Sequence, residues 1–404
     1  MSQKLSPRQR RTVLATTITL LLGLSSSASA ISFTEALTGG KPKLDVRLRY
    51  ENVDQDNATD DADALTVRTR LGYGTGSYRN FNAYVEMENN SALVEDYNSG
   101  PGGNGKTRYS VVADPDATEV NQAYLGFDGL PDTSARLGRQ RIILDNARFV
   151  GNVGWRQLEQ TYDAVLAQNK SLPDTTLTYS YIDNVKNIFS NDADVNTHLV
   201  NAGYDGLGFA RIVAYGYFIE FNSSTGIADQ SNQTLGAYLD GSYDFGGFKL
   251  LYRAEYAQQS DYDNGNSDID ADYNHFILGA TVKGVTAKVG YELLGDDDAF
   301  SFETPLATKH AFNGWADIFL NTPADGLQDV YALVSGKVMG VKLMGVYHDF
   351  QSDKGSTDYG TEIDLLAAKK FSKNYTAGIK YASYDSDDYA VDTDKFWLWG
   401  QMKF

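Results

Sequence analysis

The sequence predicts an all-β fold: a single transmembrane antiparallel β-barrel of about 18 strands, with short periplasmic turns and long extracellular loops. Three observations carry that expectation. An export leader opens the chain, period-two alternation of apolar and polar residues runs from Leu44 to the last residue, and the connections alternate between short and long.

The leader comes first. Lys4, Arg8, Arg10 and Arg11 make a positive n-region, Val13 to Leu24 an apolar stretch, and Ala28-Ser29-Ala30 a small-residue cleavage site. The apolar run is shorter than the roughly 20 residues a spanning helix needs, so residues 1–30 read as a cleaved signal peptide and residues 31–404 as the barrel. No later apolar run reaches spanning length, which turns the search for membrane segments from helices to strands. The chain has no cysteine, so an exported protein of this kind is neither a disulfide scaffold nor a thiol enzyme.

In a strand, successive side chains point to opposite faces. Val46, Leu48 and Tyr50 alternate with Arg47, Arg49 and Glu51, and Phe81, Ala83, Val85 and Met87 with Asn82, Tyr84, Glu86 and Glu88. The same pattern recurs in Ala123–Phe127 and Val285–Leu293. Segments of about ten residues suit a tilted strand crossing a bilayer. In chain order the strands fall at 44–52, 65–78, 80–90, 119–128, 133–141, 160–169, 174–183, 195–205 and 208–220. The rest fall at 232–244, 247–259, 271–283, 285–294, 328–338, 341–350, 359–371, 374–384 and 393–404. The short links are Arg79, Gly129–Asp132, Ser171–Pro173, Gly206–Leu207, Phe245–Gly246, Gly284, Met339–Gly340 and Ser372–Lys373. Longer ones separate them, with 91–118, 142–159 and 295–327 the longest. An even strand number puts both termini at one end. Lipid leaves no backbone group unpaired, so a spanning sheet must close. The last strand, with Phe396, Leu398, Met402 and Phe404 on one face, fits the lipid-facing closing strand of such a barrel.

The formal charge is −18 and grows more negative once Lys4, Arg8, Arg10 and Arg11 leave with the leader, which argues against a nucleic-acid partner. The arginines are nonetheless unevenly placed: thirteen follow the leader, and eleven of those lie between residues 41 and 160. Arg47, Arg49, Arg68, Arg70 and Arg136 share the face opposite the apolar one, which is the lumen. A permanently charged, planar guanidinium suits the handing on of carboxylates or phosphates, and basic rows select anions in pores. Glu51, Glu86, Glu88, Asp163 and Glu255 are expected on the same face, so the arginines either form an anion path or brace the wall in ion pairs.

Between Gly138 and Ala164 the alternation breaks. Arg139 and Arg141 fall on the lipid parity unless a bulge resets the register. Arg148 and Arg156 lie in a loop so dense in Arg, Asn, Gly and aromatic residues that it reads as folded inward, or else as a seal at the mouth. The stretch GRQRI-LDN-RFVGN-GWRQ-EQTYDA over residues 138–164, followed by alternating strands to a terminal Phe, resembles the alginate-export family of outer-membrane proteins. That resemblance implies an eighteen-stranded barrel with an Arg-rich, electropositive channel for a polyuronate. The C-terminal strands show no obvious Lys/Arg supplement, which leaves smaller carboxylates open as cargo.

The remaining loops are acidic, with Asp54, Asp56, Asp60, Asp61 and Asp63, Asp261 to Asp272, Asp296 to Asp298, and Asp385, Asp387 and Asp388. Oxygen-only clusters suit divalent cations bridging to lipopolysaccharide; solvated loops are the plainer reading. Segment 91–118, with its Gly100-Pro101-Gly102-Gly103, is expected to be mobile. Loop 295–327, with Phe300, Phe302, Phe312, Trp315 and Phe319, is a candidate constriction or an apolar contact with a neighbour. His198, His275, His310 and His348 stand apart without a nucleophile–base or metal-ligand spacing, so no enzyme and no cofactor is expected. Residues 31–43 are too few for a plug domain. The reading is a passive channel of a Gram-negative outer membrane for anionic hydrophilic solutes, uronates or other carboxylates, embedded in lipid and lipopolysaccharide, its oligomeric state open. A general porin and a structural or adhesive barrel are the alternatives.

Overall fold

A computed structural model describes residues 31–296 and 300–404; the leader, and Asp297 and Asp298 of the acidic loop, lie outside them. A six-residue helix α1 (Phe33–Thr38) precedes the barrel, closed at its start by a reciprocal box in which Ser32 and Glu35 cap each other's backbone.

Eighteen antiparallel strands follow: β1 (Lys41–Gln55), β2 (Ala62–Gly74), β3 (Phe81–Asp96), β4 (Ala117–Leu130), β5 (Thr133–Gln140), β6 (Thr161–Asn169), β7 (Thr175–Lys186), β8 (Asp192–Tyr204) and β9 (Ala210–Ile219). They continue as β10 (Asn232–Asp244), β11 (Lys249–Asp261), β12 (Asp270–Val282), β13 (Val285–Leu294), β14 (Leu327–Val338), β15 (Val341–Gln351), β16 (Asp358–Lys370), β17 (Tyr375–Asp385) and β18 (Thr393–Lys403). Each pairs with its chain neighbours and β1 pairs with β18, so the sheet closes on itself as expected. The seam is locked at its end: Leu44 N–H donates to the Phe404 carbonyl at 3.1 Å and Phe404 N–H returns to Leu44 at 2.8 Å. The terminal residue therefore completes the ladder.

Alternation explains the faces. Leu48, Leu71, Val85, Leu125, Val289, Val334, Leu365 and Leu398 are exposed and point outward; Arg47, Arg49, Arg68, Glu86 and Glu88 are buried and point inward. The link between β2 and β3 is longer than the expected single residue, 75–80, because the chain reverses through Arg79 and Asn80, both at positive φ. Tyr78 and Phe81 exchange two backbone bonds across them, the two-residue turn whose twist matches a hairpin.

The apolar core lies inside the barrel. Loop 141–160 and residues 300–326 fold inward, and their Phe149, Phe302, Trp315 and Phe319 pack against inward Tyr215, Tyr273, Phe350, Tyr384 and Trp397 of the wall. Loop 97–116 is less free than its glycines suggest. Tyr97 and Asp114 are buried beneath it, with the Tyr97 hydroxyl donating to the Asp114 carbonyl at 2.9 Å.

Candidate functional site

The lumen is shaped by the two inward loops and by the ion pairs that hold them. Loop 141–160 carries the Arg148 and Arg156 side chains to two separate parts of the wall, β13 and β1. Arg148 reaches β13, pairing with Glu292 at 2.7 Å, and also bonds Thr304 and Asn313 of loop 295–326. Arg156 pairs with Glu51 of β1 at 3.0 Å and with Asp317 of loop 295–326 at 2.9 Å. Arg141 pairs with Glu86 of β3 at 2.6 Å and with Glu159. Burial works against the Glu159 charge, but Arg70 and Arg141 outweigh it and hold its carboxyl down to about 2.

Below this brace, toward the end where both termini lie, is a recess of about 450 Å³. Lys43, Arg47, Arg68, Arg70, Arg141 and Lys403 line it, facing Asp45, Glu86 and Glu159. Arg47 differs from its neighbours: its hydrogen bonds run to neutral oxygens, Gln157 Oε1 at 2.8 Å and the backbone carbonyls of Gly154 and Arg156. Arg68 pairs with Asp45 at 2.8 Å, and Arg70 with Glu88. Cations outnumber anions in this lining, and β1 and β2 set them side by side, with Arg47 directly opposite Arg68.

A second recess, of about 610 Å³, lies along β12–β18. Gly154 lines the first recess and the adjacent Trp155 the second, so this one segment separates them. The four tryptophans of the chain meet here. Trp155 packs edge-on to Trp397 and Trp399. The Lys380 ammonium lies 3.6 Å from the Trp315 ring centroid, 4.6 Å from Trp155 and 5.3 Å from Trp397, a strong cation–π environment. The same ammonium donates to His310 Nε2 at 2.6 Å. His310 Nδ1 donates to Asp317 at 2.6 Å, and its ring stacks on Trp155 with 3° between planes. Asp317 also accepts from Lys395 of β18 at 3.1 Å. The knot ties both loops to β17 and β18.

Most of the sequence-expected site residues meet in the lumen. Arg47, Arg49, Arg68, Arg70, Glu86 and Glu88 are inward on β1–β3, and Arg141, Arg148 and Arg156 reach inward from the loop. Arg49 is bound to Asp114, to Glu51 at 3.2 Å and to the Trp155 carbonyl, so it braces rather than lines. Arg136 sits opposite Gly126, close to the short turn, with its guanidinium 5.2 Å from the Tyr124 ring.

Arg139 and Asp163 are the correction. They pair directly across β5 and β6 at 2.7 Å, on the face of Ala135 and Leu137 and opposite to buried Gln140. No bulge intervenes between Gly138 and Arg139, so the lipid parity stands, and the pair lies on the outer face at the long-loop end. A second correction concerns the C-terminal strands, which do supply inward cations: Lys380 and Lys395 are buried on the lumen side. Single lysines amid alternating Asp and aromatic residues formed no visible cluster. Asp114, Lys43 and the tryptophan knot were likewise missed, because loop-to-wall contacts leave no periodic signal.

A closed eighteen-stranded barrel with an apolar outer belt, inward charges and loops folded into its lumen is an outer-membrane porin fold, and the protein is an outer-membrane protein of Gram-negative type. The chain belongs to the alginate export family, whose model matches residues 42–302. Among solved structures it is similar to OccAB4 of Acinetobacter baumannii, at 14% identity and a TM-score of 0.71 over 90% of this chain and 98% of that one. It is also similar to Pseudomonas aeruginosa OpdK, solved with vanillate, at 13% and 0.73 over 91% and 99%. P. aeruginosa OccK9 (OpdG) aligns at 15% and 0.71 over 91% and 100%. No curated protein matches the chain.

Proposed function

We propose that the protein is a passive channel for small anionic hydrophilic solutes, with carboxylates such as uronates as cargo. The observation that carries this is the cation-rich recess: Arg47, whose hydrogen bonds are all to neutral oxygens, stands beside Arg68, Arg70, Lys43 and Lys403, and a solute carboxylate would complete its charge balance. The family's name points to a polyuronate, and the arginines of this wall suit one sugar acid at a time as well as a polymer.

A general porin with a braced wall is the second reading. It is favoured by the ion pairs of Arg49, Arg148 and Arg156, whose charge is already spent on carboxylates. Reversal potential of the purified protein in a planar bilayer under a salt gradient separates the two. Anion preference is expected, weakened by Arg47→Gln and by the exposed pair Lys43→Gln with Lys403→Gln. Cation preference in the unmodified protein refutes the anion channel, and preference that survives both variants assigns these residues to bracing alone.

A further inference from the structure

The residues just ahead of β1 are too few for a plug, yet they fold as α1, and α1 lies outside the lumen. Its place follows from the strand it rests on. Leu71 of β2 faces outward and is 60% exposed, so Tyr73, two residues on, faces the same way. The Tyr73 hydroxyl donates to the Leu37 carbonyl, and Gly76 N–H, in the turn after β2, donates to the Ala36 carbonyl at 2.8 Å. The crossing from α1 into β1 is close. A Cβ on Gly40 would stand 2.4 Å from the Tyr73 ring, so glycine lets the chain pass over that ring. The helix therefore rests on the outer side of the periplasmic rim, turned away from the recess that Lys43 and Lys403 line.

The face it leaves uncovered is apolar. Ala36 is the buried residue of the helix. Phe33 and Leu37 stand one turn apart on a common face, and they are 59% and 43% exposed. Continuity says what covers them. Leu71 lies directly across from Leu44 within the lipid-facing belt, and Tyr73 carries that belt on to α1. A face contiguous with lipid-facing side chains meets lipid before any soluble partner. The level is marked independently. Phe33 meets the Tyr78 ring edge-on at 5.6 Å, and the Arg79 guanidinium lies 5.4 Å from the same ring. Phe81 and Phe127, on the outward parity of β3 and β4, have ring centroids 4.7 Å apart. Aromatic rings with a neighbouring cation are what membrane proteins place at headgroup level.

We propose that α1 is an interfacial anchor, its Phe33–Leu37 face lying in the inner leaflet of the outer membrane. Phospholipid acyl chains cover that face near their head end, and Tyr78 and Arg79 lie at the level of the phosphates. A helix of six residues is too short to hold its shape alone in water; the capping box and the contacts with Tyr73 and Gly76 preform it for lipid. The anchor fixes the depth of the barrel at β1–β3 and keeps the chain entering β1 clear of the periplasmic mouth. It is independent of which solute the lumen carries.

The chain has no cysteine, so single cysteines can carry a polarity-sensitive fluorophore. Full-length protein labelled through Phe33→Cys, Leu37→Cys, Thr38→Cys or Leu48→Cys is reconstituted in phosphatidylethanolamine–phosphatidylglycerol vesicles. Lipids brominated near the head or the tail of the acyl chain report depth, and iodide present on both sides reports water. The labels at Phe33 and Leu37 are expected to be quenched several-fold more by shallow than by deep bromines, and several-fold less by iodide than the label at Thr38. The label at Leu48, within the belt, should favour the deep bromines. Adding Leu37→Asp to the Phe33→Cys protein should raise iodide access several-fold with the β-sheet dichroism of the barrel unchanged. Equal iodide access at Leu37 and Thr38, or no response to Leu37→Asp, overturns the proposal. So does protection from iodide without bromine quenching, which would show that a second copy or another protein covers the face.

Discussion

Acidification from pH 7 to 5 is expected to loosen loop 295–326 from the barrel wall, with His310 as the group that takes up the proton. Both of its ring nitrogens are engaged in the docked loop, Nδ1 donating to Asp317 and Nε2 accepting from Lys380. A second ring proton would point at an ammonium. Burial, with the charges of Lys380 and Arg156, outweighs the attraction of Asp317 and lowers the imidazole to about 3 from its ordinary 6.5. The lowered value fixes the sign. Docking is fully favoured above pH 6.5, where the free loop also holds a neutral ring. As pH falls below 6.5 the free loop takes a proton that the docked loop refuses, and docking weakens by about 1.4 kcal/mol per pH unit toward pH 3. At pH 5 the loss is about 2 kcal/mol, or about thirtyfold in the ratio of docked to free loop. The neighbouring Asp317 is held below its ordinary 3.8 by His310, Lys395 and Arg156 in spite of burial, so its own effect begins only under pH 4. Single-channel open-state statistics, with acrylamide quenching of tryptophan as an independent readout, should change between pH 6.5 and 4 in the wild type and lose that dependence in His310→Gln. Equal pH responses of the two proteins would refute the reasoning.

Three further outcomes follow from the contacts. Arg148→Met strands buried Glu292 without its cation and should cost about 3–5 kcal/mol, read as earlier urea unfolding and faster proteolysis within residues 141–160. Arg139→Ala removes only an outer-face pair with a partly exposed Asp163; a loss of at most about 1 kcal/mol and an unchanged reversal potential are expected, and altered selectivity would place the pair in the pore after all. A Cβ on Gly378 would stand 2.4 Å from the Trp399 ring, so Gly378→Val should drive that indole off β17 and cost about 1–3 kcal/mol, visible as a shifted near-ultraviolet dichroism spectrum and a lower unfolding midpoint.

The barrel was legible because its physics is periodic. Lipid outside and polar lumen inside force period two on every strand, so Leu48 beside Arg47, or Val289 beside Lys288, declares both a strand and its two faces. The strand ends were less legible: β1 and β3 run on past the expected limits, since loop residues such as Val53 are still apolar and still paired. Alternation put Arg139 on the face of Leu137, and the register keeps it there because the bulge that would have turned it inward is absent between Gly138 and Arg139. What alternation cannot encode is a contact made across the barrel. Arg156 to Glu51 spans 105 residues in sequence and Lys380 to His310 spans 70, and neither partner stands out in its own segment. An apolar patch on β14–β16 shows the same limit from the other side. Leu333, Met344 and Leu366 interrupt the polar parity one residue at a time, which in a single strand looks like noise. Only closure of the sheet sets these interruptions side by side, Leu333 across from Val346 and Met344 from Leu366, as a surface packed on the buried core. The core inside a barrel thus emerges from register and not from any local motif.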